Sequence, residues 1–102
     1  MACELDESFK LRGQDVGLED AEALKVAGFA LIDAQGGQIT VDFDALVQAS
    51  SVTVALMMAW YRRATLQQKT IEFVNLSQEL RNIIEFSGLS QVLLTQQDSL
   101  GE

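Results

Sequence analysis

The sequence predicts one α/β domain with a mixed sheet and helices packed against it. Its 102 residues are the size of a single domain, and a hydrophobic fraction of 48% is enough for a folded core. The hydrophobic period also switches repeatedly between two residues and three to four. The elements read β, α, β, α, β, α and a tail, and alternation with short links builds a layered α/β domain. There is no internal repeat, linker or low-complexity tract. A single domain over residues 1–102 is expected, with its core at about 8–94, a frayed acidic N-terminus and a polar C-terminal tail.

Residues 8–13 alternate Phe9 and Leu11 with Lys10 and Arg12, the pattern of a half-buried strand. Gly13 and Gly17 punctuate a loop. From Leu18 the period lengthens. Leu18, Ala21, Leu24, Lys25, Gly28, Leu31 and Ile32 mark one face of a helix, with Asp15, Glu19 and Asp20 near its start, where the macrodipole favours anions. Gly36 and Gly37 end it, since glycine takes a left-handed cap at little cost. Residues 38–43 are β-branched and aromatic and predict a central strand, followed by a connection over 44–51. A second helix is expected at about 52–67 and a strand at 69–74. Asn75 and Ser77 are both candidate N-caps for a third helix at about 77–86, Asn75 being followed by Gln78 as in a capping box. Leu80, Ile83, Ile84 and Ser87 form its inner stripe, and Gly88 closes it. Residues 89–94 make a last strand or an extra turn of helix. Residues 95–102 are polar and expected to fray.

Composition removes several functions. Histidine is absent, so there is no Ser-His-Asp triad, Cys-His pair or His-ligated zinc. Cys3 is the sole cysteine, which excludes an internal disulfide and any CxxC site. A net charge of −8 argues against nucleic acid as a partner. The longest strongly apolar stretch, residues 52–61, falls short of the roughly 20 residues a membrane span needs. Residues 1–12 carry Glu4, Asp6 and Glu7 and lack the pattern of a signal peptide. A cytoplasmic domain without membrane insertion is expected. The charge is uneven, with ten acidic and three basic residues in 1–44. That asymmetry makes either a solvated acidic face or a surface that steers toward a basic partner.

Candidate chemistry is sparse. Asp42 and Asp44 are an i, i+2 carboxylate pair that makes either a cation or shared-proton site or a solvated strand end. Gly36-Gly37 is followed by no lysine and is no phosphate loop. Cys3 lies among carboxylates, which raise a thiol pKa and oppose nucleophilic use. No catalytic residue, metal or cofactor is expected. The start of the second helix says more, because Ser50, Ser51 and Thr53 cluster hydroxyls at a strand-loop-helix junction. Ser50 or Ser51 can cap the free N–H groups there. Equally, a serine at that place accepts a phosphate or a partner's contact. At about 100° per residue, Val54, Met57, Met58, Tyr61 and Thr65 fall on one side, toward the sheet. Thr53, Leu56, Trp60, Arg63 and Gln67 fall on another. That second side is either covered by a neighbouring helix or forms a partner face with a hot-spot composition, in which case Trp60→Ala weakens binding and spares the fold.

At this junction the sequence resembles the STAS domain, the fold of anti-sigma-factor antagonists. The resemblance runs from about Phe9 to Leu94. It rests on the strand Thr40-Val41-Asp42-Phe43, the motif position Ser50-Ser51-Val52-Thr53 and the helix Val54-Ala55-Leu56-Met57-Met58-Ala59-Trp60. Arg62-Arg63-Ala64, the strand Ile71-Glu72-Phe73-Val74, the segment Asn75-Leu76-Ser77-Gln78-Glu79-Leu80-Arg81 and the ending Ser87-Gly88-Leu89 continue it. The last two are most similar to the MlaB-type branch. The resemblance implies a non-enzymatic cytoplasmic subunit, peripheral at the inner membrane of a Gram-negative bacterium. Its partner would be the MlaF-like ATPase, with its permease, of an ABC transporter that moves phospholipid between inner and outer membranes and keeps outer-membrane lipid asymmetry. Ser51 matches the serine or threonine that antagonists present for phosphorylation and that the transporter branch places at its ATPase contact. Ser50 stands where aspartate is usual and Thr53 where glycine is usual. The expected partner-binding residues are Ser50, Ser51, Thr53, Leu56, Trp60 and Arg63. The alternative function is an anti-sigma-factor antagonist switched by phosphorylation of Ser51.

Overall fold

The computed structural model describes residues 3–94. The elements are β1 (Glu4–Leu5), β2 (Lys10–Gly13), α1 (Leu18–Ala34), β3 (Gln38–Leu46), α2 (Ser51–Leu66), β4 (Thr70–Val74), α3 (Gln78–Phe86) and α4 (Ser90–Leu93). The architecture is the mixed α/β one expected. The strands stand in the order β1-β2-β3-β4, with β1 antiparallel to β2 and the other pairs parallel. After β2 and again after β3, a helix returns the chain to the next parallel strand. Both crossovers step the same way along the sheet, so right-handed connections put α1 and α2 on one face. Burial along the central strand β3 agrees. Ile39, Val41, Phe43 and Leu46 are buried, while Gln38, Thr40 and Asp44 are exposed. One face of the sheet is covered by helices and the other meets water.

The chain start differs from the frayed segment expected. Leu5 pairs with Leu11, and Cys3 is buried. The turn between β1 and β2 is built by Asp6, whose Oδ1 accepts from the N–H of Ser8 (3.0 Å), the hydroxyl of Ser8 (2.7 Å) and the N–H of Lys10 (3.1 Å). Its Oδ2 takes Arg12 Nη2 at 2.6 Å. The Ser8 hydroxyl and the Arg12 guanidinium hold this carboxyl far below the usual range. The turn puts Phe9 at φ 64°, a costly conformation for a bulky residue. Its ring is fully buried and meets Trp60 edge-on at 5.1 Å, which offsets the strain.

β3 runs on through Leu46, beyond the expected end. Lys10 pairs with Asp42 and Arg12 with Ala45, an irregularity that bends the ladder, and Val47 and Gln48 continue it to the carbonyls of Gly13 and Gln14. Residues 89–94 resolve as the extra helical turn α4, with Leu93 and Leu94 buried. Ser77, not Asn75, caps α3, its Oγ accepting from Leu80 N–H at 3.1 Å. Asn75 instead sits at φ 59° and donates to Asp42 across the sheet end. In α1 the buried residues are Leu24, Gly28 and Ile32, and Leu18 is 80% exposed, so the expected stripe loses its first member. That helix closes at Gln35, and the left-handed residue is Gly37, at φ +73°, leading into β3. The expected polar tail, residues 95–102, lies outside the described residues.

Candidate functional site

Helix α2 opens with a reciprocal cap. Ser50 Oγ accepts from Val52 N–H at 3.2 Å, and Thr53 Oγ1 accepts from Ser50 N–H at 3.2 Å. Two of the helix's free N-terminal donors are thus met by short hydroxyls. Just before the helix, the N–H of Ala49 donates to Glu79 Oε1 of α3 at 3.2 Å. α2 has no acid in its own first turn, and α3 supplies the negative charge that its dipole favours. With these groups engaged, Ser51 is left exposed on the first turn, with no side-chain hydrogen bond among the described residues. The question of which serine caps is therefore answered: Ser50 holds the helix and Ser51 is presented. Thr53 is fully buried and has a structural part, not a surface one.

Leu56 and Trp60 correct the sequence reading. They are 4% and 0% exposed, so they form no open face on this chain. The buried side of α2 runs through Thr53, Val54, Leu56, Met57, Trp60 and Ala64, while Thr65 of the expected sheet side is exposed. The cause is tertiary. α2 is packed on by α1 as well as by β4, α3 and α4, so more than one side of it is covered. The indole lies against Gly28 of α1, where an added Cβ would collide with the ring, and its Nε1 donates to the carbonyl of Lys25 at 3.3 Å. Only glycine lets the two helices close over a tryptophan here.

Arg63 is also spoken for. Its Nε and Nη2 meet Asp33 at 3.0 and 2.7 Å, and its guanidinium lies 4.8 Å from the ring centre of Phe29. Gln67 also donates to Asp33. The fork from Arg63, with help from Gln67, lowers the Asp33 carboxyl to about 2. Arg63 stands twelve residues from Ser51, about 18 Å along the helix. With Thr53 and Trp60 fully buried, the six expected partner-binding residues do not make one exposed patch.

What stands around Ser51 was missed at the level of sequence. An open groove of about 420 Å³ runs between the outer sides of α1 and α2, lined by Leu18, Ala21, Val52, Ala55, Leu56 and Ala59, with Glu22, Lys25 and Ser51 at its rim. Leu56 thus returns as part of a groove floor. The exposed Val47, at the end of β3, lies at the same end of the domain as Ser51 and the start of α1. The signal that would have found the groove is the spacing of Ala55 and Ala59 on the flank of α2, small residues outside its large-residue stripe.

The remaining chemistry is quiet. Asp42 Oδ1 accepts from Asn75 Nδ2 at 3.0 Å and from Asp44 N–H at 2.9 Å. These bonds keep its carboxyl below the usual range, which opposes a proton shared with Asp44. No cluster of three or more metal-ligating side chains occurs among the described residues. Burial, more than neighbouring carboxylates, pushes the Cys3 thiol up.

The family described as "Mlab, STAS domain" matches residues 8–95, from the turn before β2 to the end of α4. The chain belongs to the MlaB-type STAS domain family. Its four-stranded mixed sheet with helices on one face is the STAS arrangement, and Ser51 is the first residue of α2. Among curated proteins none matches the chain. No helix among the described residues of this STAS domain is long and apolar enough to cross a membrane.

Proposed function

We propose that this chain is a non-enzymatic subunit that docks on the ATPase of an ABC transporter and supports its assembly or activity. The ATPase is of the MlaF-like kind and sits with its permease, and the traffic is phospholipid between inner and outer membranes of a Gram-negative cell. On this reading the chain works in the cytoplasm, peripheral at the inner membrane through its partner, and contributes to outer-membrane lipid asymmetry. The observation that carries the reading is Ser51, exposed on a helix start held by Ser50 and Thr53, in a chain whose family is MlaB-type. Leu18 and Val47 add exposed apolar surface at the same end.

The test is affinity capture of the tagged chain from a detergent-solubilised lysate of its own bacterium, read by mass spectrometry, with Ser51→Arg as the paired variant. The wild type should recover an ABC ATPase and its permease. Ser51→Arg should lose at least tenfold of both while its thermal unfolding is unchanged. Recovery of a serine kinase instead, with phosphate on Ser51, would replace this reading by the anti-sigma-antagonist one.

A further inference from the structure

The groove beside Ser51 does not end at Ala59. A second depression of about 260 Å³ is lined by Lys25, Phe29, Ala59, Arg62, Arg63 and Leu66, and it shares Lys25 and Ala59 with the first. Together they form one seam along the outer junction of α1 and α2. Both helices return the chain between parallel strands, so they run the same way, and their N-termini lie together at the Leu18 and Ser51 end. From Leu18 to Phe29 the seam is eleven residues long, about 16 Å or three helical turns. Ala21, Ala55 and Ala59 line it from the Leu18/Ser51 end inward, and small residues there let another helix come close. Each end carries an exposed leucine, Leu18 at 80% and Leu66 at 82%.

The seam is also electrically polar. At its start stands Glu22, an exposed acid of α1 that lines the groove, and no basic residue occurs in the first turn of α2. Lys25, three residues on, pairs with Glu22 at 3.0 Å, but both side chains are well exposed and the pair is cheaply exchanged. At the far end Arg62 is exposed beside Arg63. The occupant that fits is a helix with acids in its first turn, bases in its last and a narrow apolar stripe between. Laid antiparallel to α1 and α2, it puts its bases over Glu22 and its acids over Arg62. That order of charges is also the one its own dipole favours.

We infer that the α1/α2 seam is a docking groove for one amphipathic helix of a partner protein, about three turns long, acidic at its start and basic at its end, bound antiparallel to both. The inference rests on the docking reading above and names the chemistry of the partner's contact.

The test is a selection of displayed 14-residue peptides, randomised at all positions, on the full chain and on Ala55→Arg in parallel. Ala55 is an exposed helix residue, so the variant should keep its circular dichroism and unfolding midpoint while filling the seam. Peptides enriched on the wild type should be helix formers with acids first and bases last. They should bind Ala55→Arg at least tenfold more weakly and shift the amide signals of Ala21, Ala55 and Ala59. Enriched peptides that are indifferent to Ala55→Arg, that carry the reverse charge order or that bind extended would overturn the inference, and so would no enrichment at all. A wild-type dimer in sedimentation that Ala55→Arg makes monomeric would overturn it too, by assigning the seam to a second copy. The two readings fail separately. An ATPase lost with Ser51→Arg but kept with Ala55→Arg would sink the seam alone. Patterned peptides from a chain that captures no ATPase would sink the transporter reading alone.

Discussion

Helices α1 and α2 meet along one line, and the two sides of that line are opposites. On the inner side Trp60 is sealed against Gly28 and Phe9, with its indole N–H given to a backbone carbonyl. On the outer side the same pair leaves an open seam with alanines on its floor and exposed leucines at its ends. The inner side holds large apolar groups with their polar atoms satisfied, the arrangement that gives stability. The outer side keeps apolar surface in water without filling it, which costs stability and is expected where something else docks. Side-chain size along a helix is thus divided by task. The comparison also shows why a tryptophan next to an arginine misleads, since the composition of a hot spot is the composition of a well-packed core residue as well.

The largest test of this contrast is on the inner side. Trp60→Ala should cost about 3–5 kcal/mol of stability, and Gly28→Ala about 1–3 kcal/mol or more through overpacking. Urea unfolding would read both. A Trp60→Ala protein as stable as the wild type would return the indole to the surface and erase the distinction drawn here. The next effect compares two neighbouring serines. Ser50→Ala should lose about 1 kcal/mol as the cap opens, whereas Ser51→Ala should stay within about 0.5 kcal/mol. Equal losses would mean that Ser51 shares the capping and is not simply presented.

The smallest effect lies at the C-terminal end of the seam, where Asp33 ties α1 to Arg63. Its carboxyl is lowered to about 2 when folded, below the roughly 3.9 of an unfolded aspartate. Its contribution is therefore full above pH 4 or so and fades as the pH falls from about 4 toward 2. Because Asp33 and Arg63 are well exposed, solvent screens the pair and the effect should be below that of the cap. Unfolding midpoints of Asp33→Asn and wild type should differ at pH 5 and converge near pH 2. A gap that persists at pH 2 would show that the variant acts through something other than this ion pair.

Much of this was legible locally. The period of two over Phe9 and Leu11, the run from Leu18 and the hydroxyls at 50, 51 and 53 each report a chain segment to its own neighbours, and the structure places β2, α1 and the cap of α2 there. The hairpin at the start was missed because its signal is one side chain, Asp6, folding a turn around residues that read only as acidic. The Asn75 cap is not formed because the chain there turns through the left-handed region, φ 59°, and Ser77 holds the helix start instead. Around Ser51 the sequence offered the hydroxyls but not the surroundings. Glu79 reaches this helix start from α3, and Leu18 and Ala21 line the groove from α1.

The order of elements, their periods, the capping chemistry of α2 and the absence of histidine chemistry belong to the sequence by itself, because each depends on residue type or on partners within one helical turn or strand. The burial of Trp60, the pairing of Arg63 with Asp33 and the open seam were decided only by tertiary structure. A helix can show an apolar residue to several sides, and only the packing of α1, β4, α3 and α4 around α2 determines which sides are left for water.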